Sequence, residues 1–113
     1  MDKQTISCRE LKQLRGQKAD LFLLDVRDEQ KYAAGSLHLD GIVTRNAPYI
    51  QMKEKEQPLD DDTMRACKEA LIVTVCTTGN KAQKAAALLR EKGFRALALE
   101  GGLTSWNDST ELE

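Results

Sequence analysis

Two apolar runs limit what this chain can become: "LFLLDVRD", residues 21–28, and "LIVTVC", residues 71–76. The first is a nearly continuous apolar run, which marks a strand covered on both faces and hence a parallel sheet. The second is rich in β-branched residues and ends abruptly at Cys76. Parallel strands need crossover connections, and the segments around the runs carry helical signatures.

"TISCREL" opens with a capping box, Ser7 accepting from the backbone of Glu10 while Glu10 reaches back. Cys8, Leu11 and Leu14 follow at helical spacing, so a first helix is expected from about Cys8 to Arg15, ending at Gly16. Asp28 is expected to cap a short helix through about Ala33, and "SLHLDGIV" alternates well enough for a strand. Residues 46–69 are ambiguous. "APYIQMKEKE" and "DDTMRACKEA" both look helical, separated by Pro58 and the acidic run Asp60 to Asp62, which suits a solvated helix N-terminus. After "LIVTVC" a helix is expected from about Lys81 to Lys92, closed by Gly93, then a strand in "RALALEGG" and a short final helix in "GLTSWND". Short alternating units of this kind imply right-handed crossovers and an α/β fold, a parallel sheet with helices on both faces.

Size and charge narrow the function. A chain of 113 residues buries roughly two thirds of its unfolded surface, enough for one independent core. With 41% hydrophobic residues and few aromatics, that core is mostly aliphatic. A net charge of −1 argues against nucleic acid or an anionic membrane as main partner, because phosphate binding draws on accumulated Lys and Arg. No run approaches the roughly 20 apolar residues of a membrane span, and the first residues lack a signal-peptide core. Cys8, Cys67 and Cys76 are an odd number at long, unequal spacings, unlike a disulfide framework or a Cys-x-x-Cys metal site. His38 is the only histidine, and no cluster suggests a metal. The expectation is a soluble cytoplasmic protein with free thiols and no metal.

The chemistry concentrates in "CTTGNKA", residues 76–82. In open parallel sheets ligands bind beyond the carboxyl ends of the strands, where loops lead into helix N-termini, and Cys76 stands at such a place. The backbone N–H groups of Thr77, Thr78, Gly79, Asn80, Lys81 and Ala82 would be free to point inward, and the helix dipole puts positive potential on the loop. Both favour a sulfur anion. Lys81 and Lys84 reinforce this reading, since a cation at a helix N-terminus costs about 0.3–1 kcal/mol unless an anion offsets it; Lys84 alone reads as a solvated surface residue. The plainer alternative for Cys76 is an inert thiol ending a buried strand. A Cys–His protease pairing has nothing specific behind it. A thiolate phosphatase needs arginine at the sixth position after the cysteine, where this chain has Ala82, so the loop looks too tight for phosphoryl transfer.

The blocks "TISCREL", "LLDVRDEQKYAAGSL", "VTVCTTGNKA" and "LEGGLTSW" together resemble the rhodanese-like domains, the thiosulfate sulfurtransferase family, in order and spacing over nearly the whole chain. The resemblance implies a single domain over residues 1–113, with its core at about 4–108, built on a five-stranded parallel sheet. It further implies that Cys76 carries sulfur, cradled by the loop from Cys76 to Lys81. The thiolate would take the outer sulfur of thiosulfate or another small-molecule or protein persulfide donor. It would then hold that sulfur as a persulfide and pass it to a thiol or cyanide-type acceptor, with no cofactor. By the same resemblance Asp25 and Arg27 are structural supports that hold loops together. Gly101, Gly102 and Trp106 would form a turn and core anchor, with Tyr32 and Leu37 in packing roles. Two departures stand out: Lys81 where the family usually has arginine, and Ser36 where it commonly has histidine. Two other functions compete: a rhodanese-like interaction or regulatory module, and a thiol-dependent oxyanion reductase with Cys67 as resolving thiol.

Overall fold

The computed structural model describes residues 4–17 and 20–111, the side chains of 108–111 excepted. Its elements run β1 (Thr5–Ile6), α1 (Cys8–Gly16), β2 (Leu21–Asp25), α2 (Glu29–Ala34), β3 (Val43–Asn46), α3 (Tyr49–Met52), α4 (Asp61–Cys67), β4 (Leu71–Val75), α5 (Asn80–Glu91), β5 (Ala96–Leu99) and α6 (Gly102–Glu111). The strands form one five-stranded sheet in the order β1-β5-β4-β2-β3, and all pairings are parallel. The α/β reading of the sequence therefore holds.

The pleat explains why the two apolar runs are nearly continuous. Successive side chains of a strand point to opposite faces, and here both faces are covered. Phe22 and Leu24 of β2 and Ile72 of β4 pack with Met52, Cys67, Ala85, Ala86 and Leu89 on the side of α3, α4 and α5. Leu21, Leu23, Val73 and Val75 pack on the other side with Leu11 of α1 and with Leu103 and Trp106 of α6. The alanines of α5 let that helix lie close to the sheet. Thr74 is buried in β4 and donates from its hydroxyl to the Ala82 carbonyl at 2.7 Å, tying the strand to the first turn of α5.

The capping box of α1 is present in full: the Glu10 N–H donates to Ser7 Oγ, and the Ser7 N–H to Glu10 Oε1, each at 3.1 Å. Asp28 caps α2 by accepting from the Lys31 N–H at 2.8 Å.

The third strand is a correction. "SLHLDGIV" spans residues 36–43, yet β3 begins only at Val43 and runs through polar "VTRN". Leu37 and Leu39 are buried as the alternation suggests, but in irregular backbone that folds onto the α1 and α6 side and turns at Gly41, where the Ile42 N–H donates to the Leu39 carbonyl. The strand itself is an edge strand with no fully buried residue, Val43 and Arg45 being exposed, so it lacks the apolar run that marks a central strand. β1, two residues long, was missed because Thr5 and Ile6 lie directly before the capping box. In residues 46–69 the two helices are shorter than the sequence suggests: α3 has four residues and α4 seven. The final helix is longer, with ten.

Candidate active site

β2 and β4 are neighbours in register, Asp25 opposite Val75, so the residues that leave them at the carboxyl edge stay side by side. The Val26 N–H donates to the Val75 carbonyl at 2.9 Å, continuing the pairing one step beyond the strands. This brings Arg27 next to Cys76, although 49 positions separate them in the chain.

Cys76 is 4% exposed, at the floor of a cavity of about 250 Å³ lined by Arg27, Lys31, Thr77, Thr78, Asn80 and Lys81. Its Sγ accepts from the Gly79 N–H at 3.0 Å and from the Ala82 N–H at 3.3 Å. The first four N–H groups of an α-helix have no intrahelical acceptor. In α5 the Ala82 amide goes to sulfur and the Gln83 amide to the Gly79 carbonyl. Among the described residues the amides of Thr77, Thr78, Asn80 and Lys81 donate to no protein acceptor. The loop thus holds two donors on the sulfur and four in reserve around it.

The loop can close this tightly because Gly79 has φ +104°, in the left-handed region that disfavours side chains. A second glycine braces it from outside. Gly102, φ +58°, lies so close that a Cβ there would collide with the Cys76 carbonyl oxygen and sit 2.7 Å from the Thr77 carbonyl. The first amides of α6 then bind the loop: the Leu103 N–H donates to the Cys76 carbonyl at 2.9 Å and the Thr104 N–H to the Thr77 carbonyl at 3.1 Å. Both ends of Cys76 are held, the sulfur by α5 and the carbonyl by α6.

Asp25 and Arg27 form a buried ion pair, 1% and 9% exposed. Arg27 donates from Nε at 3.0 Å to Oδ1 and from Nη2 at 2.7 Å to Oδ2, and also from Nη2 to the Gly35 carbonyl at 2.6 Å. Hydrogen bonding to Asp25 raises Arg27 above its ordinary value against the opposing effect of burial, and the proximity of Asp28 and Cys76 pushes the same way. Arg27 is a fixed positive charge on the cavity wall. Two further residues hold this pair: Ser36, noted in the sequence only as a departure from the family, and Asn46, not singled out there. Ser36 donates to Asp25 Oδ2 at 2.7 Å, and Asn46, at the end of β3, donates from Nδ2 to the carbonyls of Asp25 and Arg27 at 3.0 and 2.9 Å. Ser36 had a signal, its place after Gly35; Asn46 had none, because its role depends on the register of an unrecognised strand.

Cys67 is not near this site. It ends α4, while Cys76 follows the far end of β4, whose five residues at about 3.3 Å each set the two cysteines on opposite edges of the sheet. A disulfide needs Cα atoms within about 7 Å. Burial pushes the Cys67 thiol up, and its Sγ points to the Met64 carbonyl.

Fold and loop define a class: α/β domains that present a cysteine sulfur, wrapped in amides, at the carboxyl edge of a parallel sheet. The family model described as "Rhodanese-like domain" matches residues 7–109, and the chain belongs to that family. The adenylyltransferase and sulfurtransferase MOCS3-2 of Zea mays is 34% identical over 107 residues, 94% of this chain but only 21% of that protein. The chain therefore spans about a fifth of the length of this maize relative. The thiosulfate sulfurtransferase GlpE of Pseudomonas aeruginosa is 32% identical over 108 residues, covering 91% of this chain and 83% of GlpE. Among solved structures, a rhodanese-related protein from Thermoplasma volcanium superposes with a TM-score of 0.69 at 22% identity, covering 94% of this chain and 92% of that one.

Proposed function

We propose that this chain is a sulfurtransferase that carries a sulfane sulfur as a persulfide on Cys76, taking it from thiosulfate or another persulfide donor and passing it to a thiophilic acceptor. The observation that carries the reading is the Cys76 sulfur held by the Gly79 and Ala82 amides under a cavity walled by Arg27, Lys31 and Lys81. In the loading step the Cys76 thiolate attacks the outer sulfur of thiosulfate. A Sγ–S bond forms, the donor S–S bond breaks, and its electron pair leaves with sulfite. The outer sulfur now carries the negative charge, and the reserve amides of Thr77, Thr78, Asn80 and Lys81 are the donors available to it. In the discharge step a nucleophile takes that sulfur and the Sγ–S electron pair returns to Cys76. The cations on the wall favour an anionic donor, and the amides offset charge on sulfur in both states. No step requires a cofactor. We place the reaction in the cytoplasm, since free thiols suit a reducing compartment; among the described residues no helix is long and apolar enough to cross a membrane.

The test is direct. The protein is incubated with thiosulfate and weighed intact by mass spectrometry, then treated with cyanide and assayed for thiocyanate, with Cys76→Ser as control. A gain of one sulfur that cyanide removes, absent from the serine variant, is the expected result. No adduct with thiosulfate or with any persulfide donor would overturn the proposal and leave the interaction module.

A further inference from the structure

Between the last ladder bond of β2, from the Val26 N–H to the Val75 carbonyl, and Asp28, the cap of α2, stands Arg27. It belongs to neither element, and among the described residues its main chain has hydrogen bonds to side chains only. Its N–H donates to Asp25 Oδ1 at 3.0 Å, and its carbonyl accepts from Asn46 Nδ2 at 2.9 Å. The same Nδ2 donates at 3.0 Å to the carbonyl of Asp25, the residue opposite Asn46 in the ladder. Both hydrogens of one amide are thus spent on the carbonyls that bracket the Val26–Arg27 peptide. The two bonds differ in weight. The Asp25 carbonyl also accepts from the Ala47 N–H at 2.9 Å, whereas Asn46 is the single donor to the Arg27 carbonyl among the described residues.

Arg27 has room to move. Besides the cavity over Cys76 it borders a larger one, of about 570 Å³, lined also by Ser36, His38, Thr77 and Trp106. Its guanidinium spends Nε and Nη2 on Asp25 and Gly35, while the N–H groups of Nη1 have no protein acceptor among the described residues. A long side chain between two open spaces keeps one position only where its anchors outweigh its conformational freedom. The ion pair fixes Asp25 and Arg27 relative to each other, and Gly35 and Ser36 hold its far end from the α2 side. Asn46 supplies the remaining anchor, from the opposite side and on the main chain.

We propose that Asn46 is a positioning residue for the sulfur transfer: by holding the Arg27 carbonyl it keeps the guanidinium on the wall of the cavity over Cys76, where an anionic donor arrives. The inference rests on the sulfur-transfer reading above and adds to it a residue of the edge strand that does not itself line that cavity. Both partners of Nδ2 are carbonyls, so the role needs N–H donors, and a carboxylate of the same shape does not fill it.

The charge on the wall can be read at Cys76. The protein is alkylated with iodoacetate and, separately, with iodoacetamide, and the rate at Cys76 is followed in the peptide that contains it. Both reagents form an S–C bond and expel iodide, and they differ by one negative charge. The ratio of the two rates therefore cancels the reactivity and accessibility of the sulfur and reports the cation beside it, while urea unfolding gives the stability of each variant. In Asn46→Ala the ratio of iodoacetate to iodoacetamide should fall about threefold, the size of one partly shielded ion pair. Asn46→Asp should fall at least as far, and loading from thiosulfate, timed by intact mass, should slow in the same order. Thr44→Ala, which removes a hydroxyl bond to the Leu37 carbonyl from the same strand, should keep the wild-type ratio whatever stability it loses. In an Arg27→Gln chain, Asn46→Ala should change the ratio no further. A wild-type ratio in Asn46→Ala, with or without a loss of stability, would overturn the proposal, as would an equal fall in Thr44→Ala or a further fall in the Arg27→Gln background. Should Arg27→Gln not fold, the comparison of Asn46 with Thr44 decides alone. A wild-type chain that takes no sulfur from thiosulfate or any persulfide donor would overturn the sulfur-transfer reading and this role with it, whatever the alkylation ratios, so the two failures are told apart.

Discussion

Lys81 is the last residue of the loop and lies on the rim of the cavity above Cys76. An ammonium is a compact point charge, whereas a guanidinium presents a planar fork that can hold two oxygens of one anion. Replacing Lys81 by Arg should therefore lower KM for thiosulfate, by about fivefold for one added charge-assisted hydrogen bond, in a thiocyanate-release assay. An unchanged or higher KM would show that the lysine is not a weaker version of an anion clamp. The position of Cys76 at a strand end, with loop amides turned toward its sulfur, was legible from sequence because strand end, small residues and helix start are adjacent in the chain. The brace on the loop was not. Gly101 and Gly102 read as a turn, but that the first amides of α6 bind the Cys76 and Thr77 carbonyls follows only once β5 is seen beside β4. Arg27 likewise joins the site through strand register, which no local pattern encodes.

Among the elements, helix starts were the most readable, since capping is chemistry between residues three apart. Ser7, Asp28 and Asp60 each accept from the backbone N–H three residues on. Asp60 accepts from the Thr63 N–H at 2.7 Å, and this bond holds its carboxyl below the usual carboxylate range. An acid whose folded value is depressed adds stability above its unfolded value, near 3.9, and loses it as pH falls through the lower folded value. Asp60→Ala should therefore lower the urea midpoint near pH 7, and the gap to the wild-type chain should close as the two are compared at successively lower pH below about 4. A gap independent of pH would mean that the side chain contributes through something other than its charge. Strands were readable only where burial made them apolar. β2 and β4 announce themselves, while β3, with no buried residue at the sheet edge, and β1, two residues long, do not.

At the scale of the whole molecule, β2 sits between β4 and β3 and divides two hydrophobic clusters. Leu23, fully buried at its centre, faces the α1 and α6 side. Leu23→Ala should cost about 2–5 kcal/mol by urea unfolding, a large share of the 5–15 kcal/mol typical of a domain. A loss below 1 kcal/mol would mean that the sheet collapses around the missing atoms. The order β1-β5-β4-β2-β3 also sets a timetable. The first strand of the chain touches no neighbour until β5, synthesised some ninety residues later, has filled the place between β1 and β4. The same late segment delivers α6 to the carbonyls of Cys76 and Thr77. Cys76 precedes in the chain the segment that braces it, for the amides on its carbonyl and on that of Thr77 come from Leu103 and Thr104. A chain whose synthesis has not reached α6, or one cut before it, would lack the bonds on the Cys76 and Thr77 carbonyls, and under the proposed function it should fail to load sulfur.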